Sequence, residues 1–247
     1  MRLKHLATGG AMILAVALVP LTALSTDNPT PGQILTQFAA PGPSPVGLAF
    51  DGKYLWVGDD QTDKLYKLDP ASGKVLATLD APGSELRGLA FDGQNLWTSD
   101  NASRRLARLD QSKGRVLARV AAPVLPLRNQ PQELGGLCWD GKYLWSGIVA
   151  GFSSRMNQVD PQTGAIQKFY FTKGYPRALA CDGTYLWNAT DNAGRRAGLI
   201  YKYRLSDGLF VSQLDTPGDW PSGLAVDGTS LWVVDRESRQ IYRLAAE

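Results

Sequence analysis

The sequence predicts an all-β chain folded as a five-bladed β-propeller closed by an N-terminal strand that completes the last blade. Three observations predict it. One motif recurs five times along 247 residues, no stretch between the copies sustains a helical period, and the last copy lacks the piece with which the folded part of the chain begins.

The copies read GLAFDGKYLW from Gly47, GLAFDGQNLW from Gly88, GLCWDGKYLW from Gly136, ALACDGTYLW from Ala178 and GLAVDGTSLW from Gly223. Spacings of 41, 48, 42 and 45 residues leave no room for an unrelated second domain. After each Trp come polar residues, a short apolar run such as KLYKLD or QIYRL, a turn such as DPASG, and a run such as KVLATLDAPG. That is four short strands punctuated by turn chemistry, the unit of a propeller blade.

Within the unit, Asp-Gly supplies the first hairpin turn. As the two central residues of a two-residue loop, the pair accepts positive φ at little steric cost. The Trp at 56, 97, 145, 187 and 232 gives one large side chain per blade. Both faces of a blade are covered by neighbours, so the adjacent Leu and Trp can both be buried although they point opposite ways. The fifth copy stops after its third strand, at IYRLAAE. The missing fourth is matched by PGQILTQFAAPG at residues 31–42, which resembles SGKVLATLDAPG at 72–83. Closing the ring with it removes exposed sheet edges.

The expected organisation is a signal peptide over 1–25, a short segment over 26–31 and the propeller over 32–247. The opening has a basic start at Arg2 and Lys4, an apolar run from about Ala11 to Leu24, and small residues before the expected cut at Thr26. The apolar run contains Pro20 and is short for a span, so no stable membrane insertion is expected after cleavage, and the product is periplasmic or secreted. Loss of Arg2 and Lys4 reduces the net charge from +3 to +1, and no basic patch supports nucleic-acid binding. The single histidine, His5, leaves with the leader. Histidine-dependent triads, zinc sites and general bases are thereby excluded.

The pattern PxGLAFDGxxLWVxDxxxxxLYKLDPxSGKV resembles the NHL and YVTN-type repeats of bacterial β-propellers. Such repeats specify architecture far better than function. Five blades of this texture are also similar to the plant-type glutaminyl-peptide cyclotransferases. That resemblance implies carboxylate chemistry, although after residue 25 the chain has only Glu85, Glu133, Glu237 and Glu247.

Function is sought where the repeats disagree. Asp-Gly and DPxSG turns share one uniform face. Every insertion falls on the other: APVLPLRNQPQELGG before blade three, IVAGFSSRMNQ within it, NATDNAGRRAGLIY in blade four and TPGDWPSG before blade five. At the entry to the innermost strands stand Val46, Arg87, Gly135, Arg177 and Ser222. Arg87 and Arg177 can converge on an anion or pair locally with neighbouring acids. Trp220, Arg236, Arg155, Tyr175 and Glu133 are further candidate ligand residues, and Arg195 and Arg196 add charge to the same loops. Three residues after each Trp lie Asp59, Asp100, Ile148, Thr190 and Asp235, with Asp60 and Asp191 alongside. Asp59, Asp100, Asp191 and Asp235 can either hold Ca²⁺ at the channel mouth or close Asx turns.

Cys138 and Cys181 fall on neighbouring innermost strands with opposite parity, which permits either a disulfide or two buried thiols. The favoured reading is an exported, monomeric binding module whose loop face takes a small molecule, peptide, glycan or partner protein. The alternative is a carboxylate- or Ca²⁺-dependent enzyme of cyclotransferase-like or lactonase-like type.

Overall fold

The computed structural model describes residues 28–127, 131–191 and 198–246. The expected leader lies outside them, as do Arg195 and Arg196. Blade one comprises β2 (Pro45–Phe50), β3 (Leu55–Asp59), β4 (Lys64–Leu68) and β5 (Val75–Asp80); blade two comprises β6 (Leu86–Phe91), β7 (Leu96–Asp100), β8 (Arg105–Leu109) and β9 (Val116–Ala121). Blade three runs β10 (Glu133–Trp139), β11 (Leu144–Val149), β12 (Arg155–Val159) and β13 (Ile166–Phe171). Blade four runs β14 (Ala178–Cys181), β15 (Tyr185–Thr190), β16 (Leu199–Arg204) and β17 (Phe210–Asp215). Blade five holds β18 (Pro221–Asp227), β19 (Ser230–Asp235) and β20 (Gln240–Ala245), and β1 (Ile34–Ala39) pairs antiparallel with β20 as its outermost strand. The innermost strands β2, β6, β10, β14 and β18 contact one another in that order, and β18 meets β2 to close the ring. No helix among the described residues is long and apolar enough to cross a membrane.

Each Trp fills the interface to the following blade, and the Leu before it fills the interface behind. Trp56 packs with Leu65, Leu86 and Leu96, whereas Leu55 packs with Trp232 and Ile241. Burying one such Trp removes ~200 Å² from water, on the order of 5 kcal/mol before entropic costs. The glycine opening four of the five motifs lets innermost backbones approach the axis closely. A Cβ at Gly136 would lie 2.2 Å from the Leu179 backbone nitrogen, and one at Gly88 would lie 2.6 Å from that of Leu137. Blade four, which has Ala178 there, also lacks the register shift seen at this point in the other blades.

The Asp-Gly turn differs from the expectation of two positive-φ residues. The loop is closed between Asp51 and Tyr54, so Gly52, at φ 90°, is the first of its two central residues and Asp51 flanks the loop with ordinary φ. Aspartate is needed for its side chain. Asp51 Oδ1 accepts the amides of Lys53 and Tyr54, and Oδ2 accepts the indole N–H of Trp56 at 2.8 Å. The same indole-to-carboxylate bond recurs from Trp97 to Asp92, Trp145 to Asp140, Trp187 to Asp182 and Trp232 to Asp227. One residue type thus closes the turn and satisfies the only polar atom of the buried wedge.

Cys138 and Cys181 form a disulfide, with Cα atoms 5.7 Å apart, joining the innermost strands of blades three and four. Between the innermost strands lies an axial void of about 60 Å³, too small for more than water, and larger clefts lie at the ends of the axis.

Candidate functional site at the loop-face mouth

A cleft of about 290 Å³ opens at the loop-face end of the axis. Arg87, Glu133, Arg177, Trp220, Ser222 and Arg236 line it, so residues from blades two to five meet at one place. Arg87, Glu133, Arg177, Trp220 and Ser222 stand at or just before the start of an innermost strand, and Arg236 follows the second strand of blade five. Pro221 opens β18 and fixes the chain after Trp220, whose backbone amide donates to Asp235 Oδ2 at 2.6 Å and whose carbonyl accepts the Arg236 amide. The Trp220 side chain is left 45% exposed, available as a stacking surface.

The guanidiniums fall into two groups. Arg87 Nη1 and Arg236 Nη2 both donate to Asp60 Oδ2, each at 3.0 Å, and Glu85 Oε2 reaches only to 4.0 Å from Arg87 Nη2. Two cations therefore share one close carboxylate oxygen. Arg177 has the opposite balance: its Nη1 lies 3.3 Å from Glu133 Oε2 and its Nη2 lies 3.3 Å from Asp191 Oδ2. Local pairing, one of the two arrangements open in the sequence, holds for both arginines. Partly exposed pairs of this kind contribute at most about 1 kcal/mol, which leaves the guanidinium forks available to an incoming anion.

Two candidates stand apart. Arg155 does not reach the mouth; its guanidinium lies 4.1 Å from the ring centroid of Phe169, on the outermost strand of blade three, and burial pushes its pKa down. Tyr175 stacks beside Arg177 at 5.5 Å and faces an adjoining cleft.

The four aspartates considered as Ca²⁺ ligands are not brought together. Asp59 accepts from the amides of Ser44, Gln61 and Thr62 and from the Thr62 hydroxyl. Asp100 accepts from the Glu85 amide and from the amide and hydroxyl of Ser103. Asp235 accepts from Trp220 and Ser238. These buried carboxylates close turns, the other role their positions allowed. At Asp100 burial opposes ionisation, but the Ser103 hydroxyl and the amides of Glu85, Ser103 and Ser84 outweigh it and hold the carboxyl below its ordinary value. Asp191 pairs with Arg177. Among the described residues no group of three or more His, Cys, Asp or Glu side chains is placed to hold a metal ion.

Asp60 and Arg236 belong to the position four after each Trp, which is only partly buried in every blade, whereas the position three after is buried in all five. Strand alternation is the signal that separates the two rows. Asp60 was visible only as a neighbour of the buried row; its part as the shared partner of two arginines depends on contacts across blade boundaries.

No family model and no curated sequence matches the chain. Solved structures do. A glutaminyl cyclase of Myxococcus xanthus aligns with a TM-score of 0.70 at 14% identity, over 86% of this chain and 95% of that one. The Cps50 (Swd1) β-propeller domain of Myceliophteria thermophila aligns with a TM-score of 0.54 at 13% identity, over 88% of this chain and 100% of that one. Hydrazine synthase of Kuenenia stuttgartiensis aligns with a TM-score of 0.50 at 18% identity, over 82% of this chain and 58% of that one. At these identities the likeness speaks to the β-propeller fold alone and leaves function to the side chains.

Proposed function

We propose that the protein is an exported binding module whose loop-face cleft takes a small ligand bearing a carboxylate or similar anionic group. The observation that carries the reading is the meeting of Arg87, Arg177 and Arg236, from three blades, with Trp220 in one cleft. The Arg87 and Arg236 forks, with one close carboxylate oxygen between them, supply the anion contacts. Trp220 supplies a face for the apolar or sugar-like remainder of the ligand, a free molecule or the end of a peptide or glycan. The disulfide agrees with an oxidising compartment, periplasmic or extracellular.

Calorimetry on a panel of carboxylates, acidic sugars and N-terminal glutaminyl peptides tests this. A hit should weaken about tenfold or more in Arg87→Ala and in Arg236→Ala, as expected for a lost charge-assisted hydrogen bond. A hit whose affinity neither variant changes sinks the anion reading.

A second reading, catalysis on an N-terminal glutaminyl peptide, is favoured by the likeness in fold to a glutaminyl cyclase and by the half-exposed Glu133 carboxylate within the same cleft. In this reading Glu133 carries a proton from the attacking terminal amine to the ammonia that leaves the side-chain amide. Release of ammonia from such a peptide, abolished by Glu133→Gln, would support it; an unchanged peptide after prolonged incubation would end it.

A further inference from the structure

A second cleft, of about 490 Å³, opens on the same face between blades three and four. Its walls include Phe152, Tyr175 and Tyr201, and among the described residues its only charged lining residue is Asp191. Arg177 reaches Asp191 from the neighbouring cleft, but the same guanidinium also holds Glu133, so two carboxylates share one cation. Among the described residues the junction thus sets two carboxylates against one guanidinium, with Asp191 on the side of the aromatic walls. The Lys173 ammonium stacks on Phe210, 3.5 Å from its ring centroid, and lies 6.0 Å from that of Tyr201.

Phe152 is the unusual member. Its side chain is wholly exposed, although burying a phenyl ring is worth ~2–3 kcal/mol. Its loop is nevertheless tightly built: Gly151 takes φ 54°, the Ser153 amide donates to the Ala150 carbonyl, and the Ser154 hydroxyl donates to the Gly151 carbonyl. The loop holds the ring at the rim of the cleft, where the fold itself gains nothing from it.

We propose that this cleft binds a small soluble alkylammonium molecule, its cation seated among Phe152, Tyr175 and Tyr201 beside Asp191. Aromatic side chains attract an organic cation through their negative faces, and an adjacent carboxylate adds direct charge attraction. The volume suits a small molecule. The inference is independent of what occupies the arginine cleft, because it concerns a ligand of the opposite charge.

Choline and its neutral isostere 3,3-dimethylbutan-1-ol separate charge from shape. Titration calorimetry on the full-length protein should show choline binding roughly tenfold or more tighter than the alcohol. Phe152→Ala should weaken choline roughly fivefold while leaving the urea midpoint unchanged, since the ring packs against nothing. Asp191→Asn should weaken it further. Equal affinity for choline and the alcohol, no choline binding to the wild type, or a Phe152→Ala variant that binds choline normally would each overturn the proposal.

Discussion

Replacing Asp92 with Asn tests whether a carboxylate, rather than the turn backbone, secures the first hairpin of a blade to its Trp wedge. Asp92 Oδ1 accepts the amides of Gln94 and Asn95 at 3.0 and 2.7 Å, and Oδ2 accepts the indole N–H of Trp97 at 2.8 Å. Asparagine can keep its carbonyl toward the two amides only by turning its amino group to the indole, donor against donor. Trp97 is 1% exposed, so its N–H finds no water in exchange. A buried donor left unsatisfied costs about 1–3 kcal/mol, and the weaker neutral acceptor at the turn amides adds to it, so Asp92→Asn should cost about 2–3 kcal/mol. Trp97→Phe removes the donor, and in that background Asp92→Asn should cost less than about 1 kcal/mol. The coupling energy of the double-mutant cycle is then about 1–2 kcal/mol, read from urea midpoints at constant m. Strictly additive costs would refute the clasp.

Further expectations concern the crosslink, a strained turn and acid. Reducing the disulfide, or replacing both cysteines with serine, frees a loop spanning a sequence separation of 43 residues, for which the chain-entropy relation gives a ceiling of about 4 kcal/mol. The urea midpoint should fall measurably, and an unchanged midpoint would show that packing between blades three and four alone holds them. Arg239 sits at φ 56°, where a side chain is strained by about 1–2 kcal/mol. Arg239→Gly should therefore stabilise by about 0.5–1 kcal/mol after the entropic cost of glycine, and a lower melting temperature would contradict this. Asp100 and Asp140 are held below the ordinary value of 3.8: burial opposes their ionisation, and hydrogen bonds, chiefly from Ser103 to Asp100 and from the Tyr143 amide to Asp140, overcome it. The unfolded chain then binds more protons, so this stabilisation is complete only above pH ~5 and is lost as pH falls through the lower folded values. Urea midpoints should drop below that pH, and less steeply in Asp140→Asn.

The architecture was legible because its causes are local and repeated. One Trp per repeat, one Asp-Gly turn and a displaced last strand state the wedge, the hairpin and the closure within a few residues each. What the repeat did not disclose is why the turn uses aspartate. Turn propensity alone explains Asp-Gly, and the bond from the indole five residues on becomes visible only when the strand folds back. The glycine that opens the motif was likewise read only as part of the repeat, since its reason, the neighbouring innermost backbone, belongs to the next blade.

The site was legible by face and only partly by residue. Comparing repeats directs attention to the loop face and to Arg87 and Arg177, because a charge stands where other copies have Val, Gly or Ser. The offset of a single residue between the buried row at Asp59, Asp100 and Asp235 and the partly exposed row at Asp60, Asp191 and Arg236 decides which carboxylates close turns and which meet arginines. Acidic residues occur in both rows, so residue type does not distinguish them; strand direction at the end of the second strand does. The consequence is electrostatic. Asp60 joins two arginines 27 and 176 residues away in the chain, so on one side of the mouth two guanidiniums meet at a single carboxylate oxygen. On the other, among the described residues, two carboxylates meet at the single guanidinium of Arg177. A ring of identical blades gives every blade the same potential at the axis, so this polarity arises only from the few positions where the copies differ.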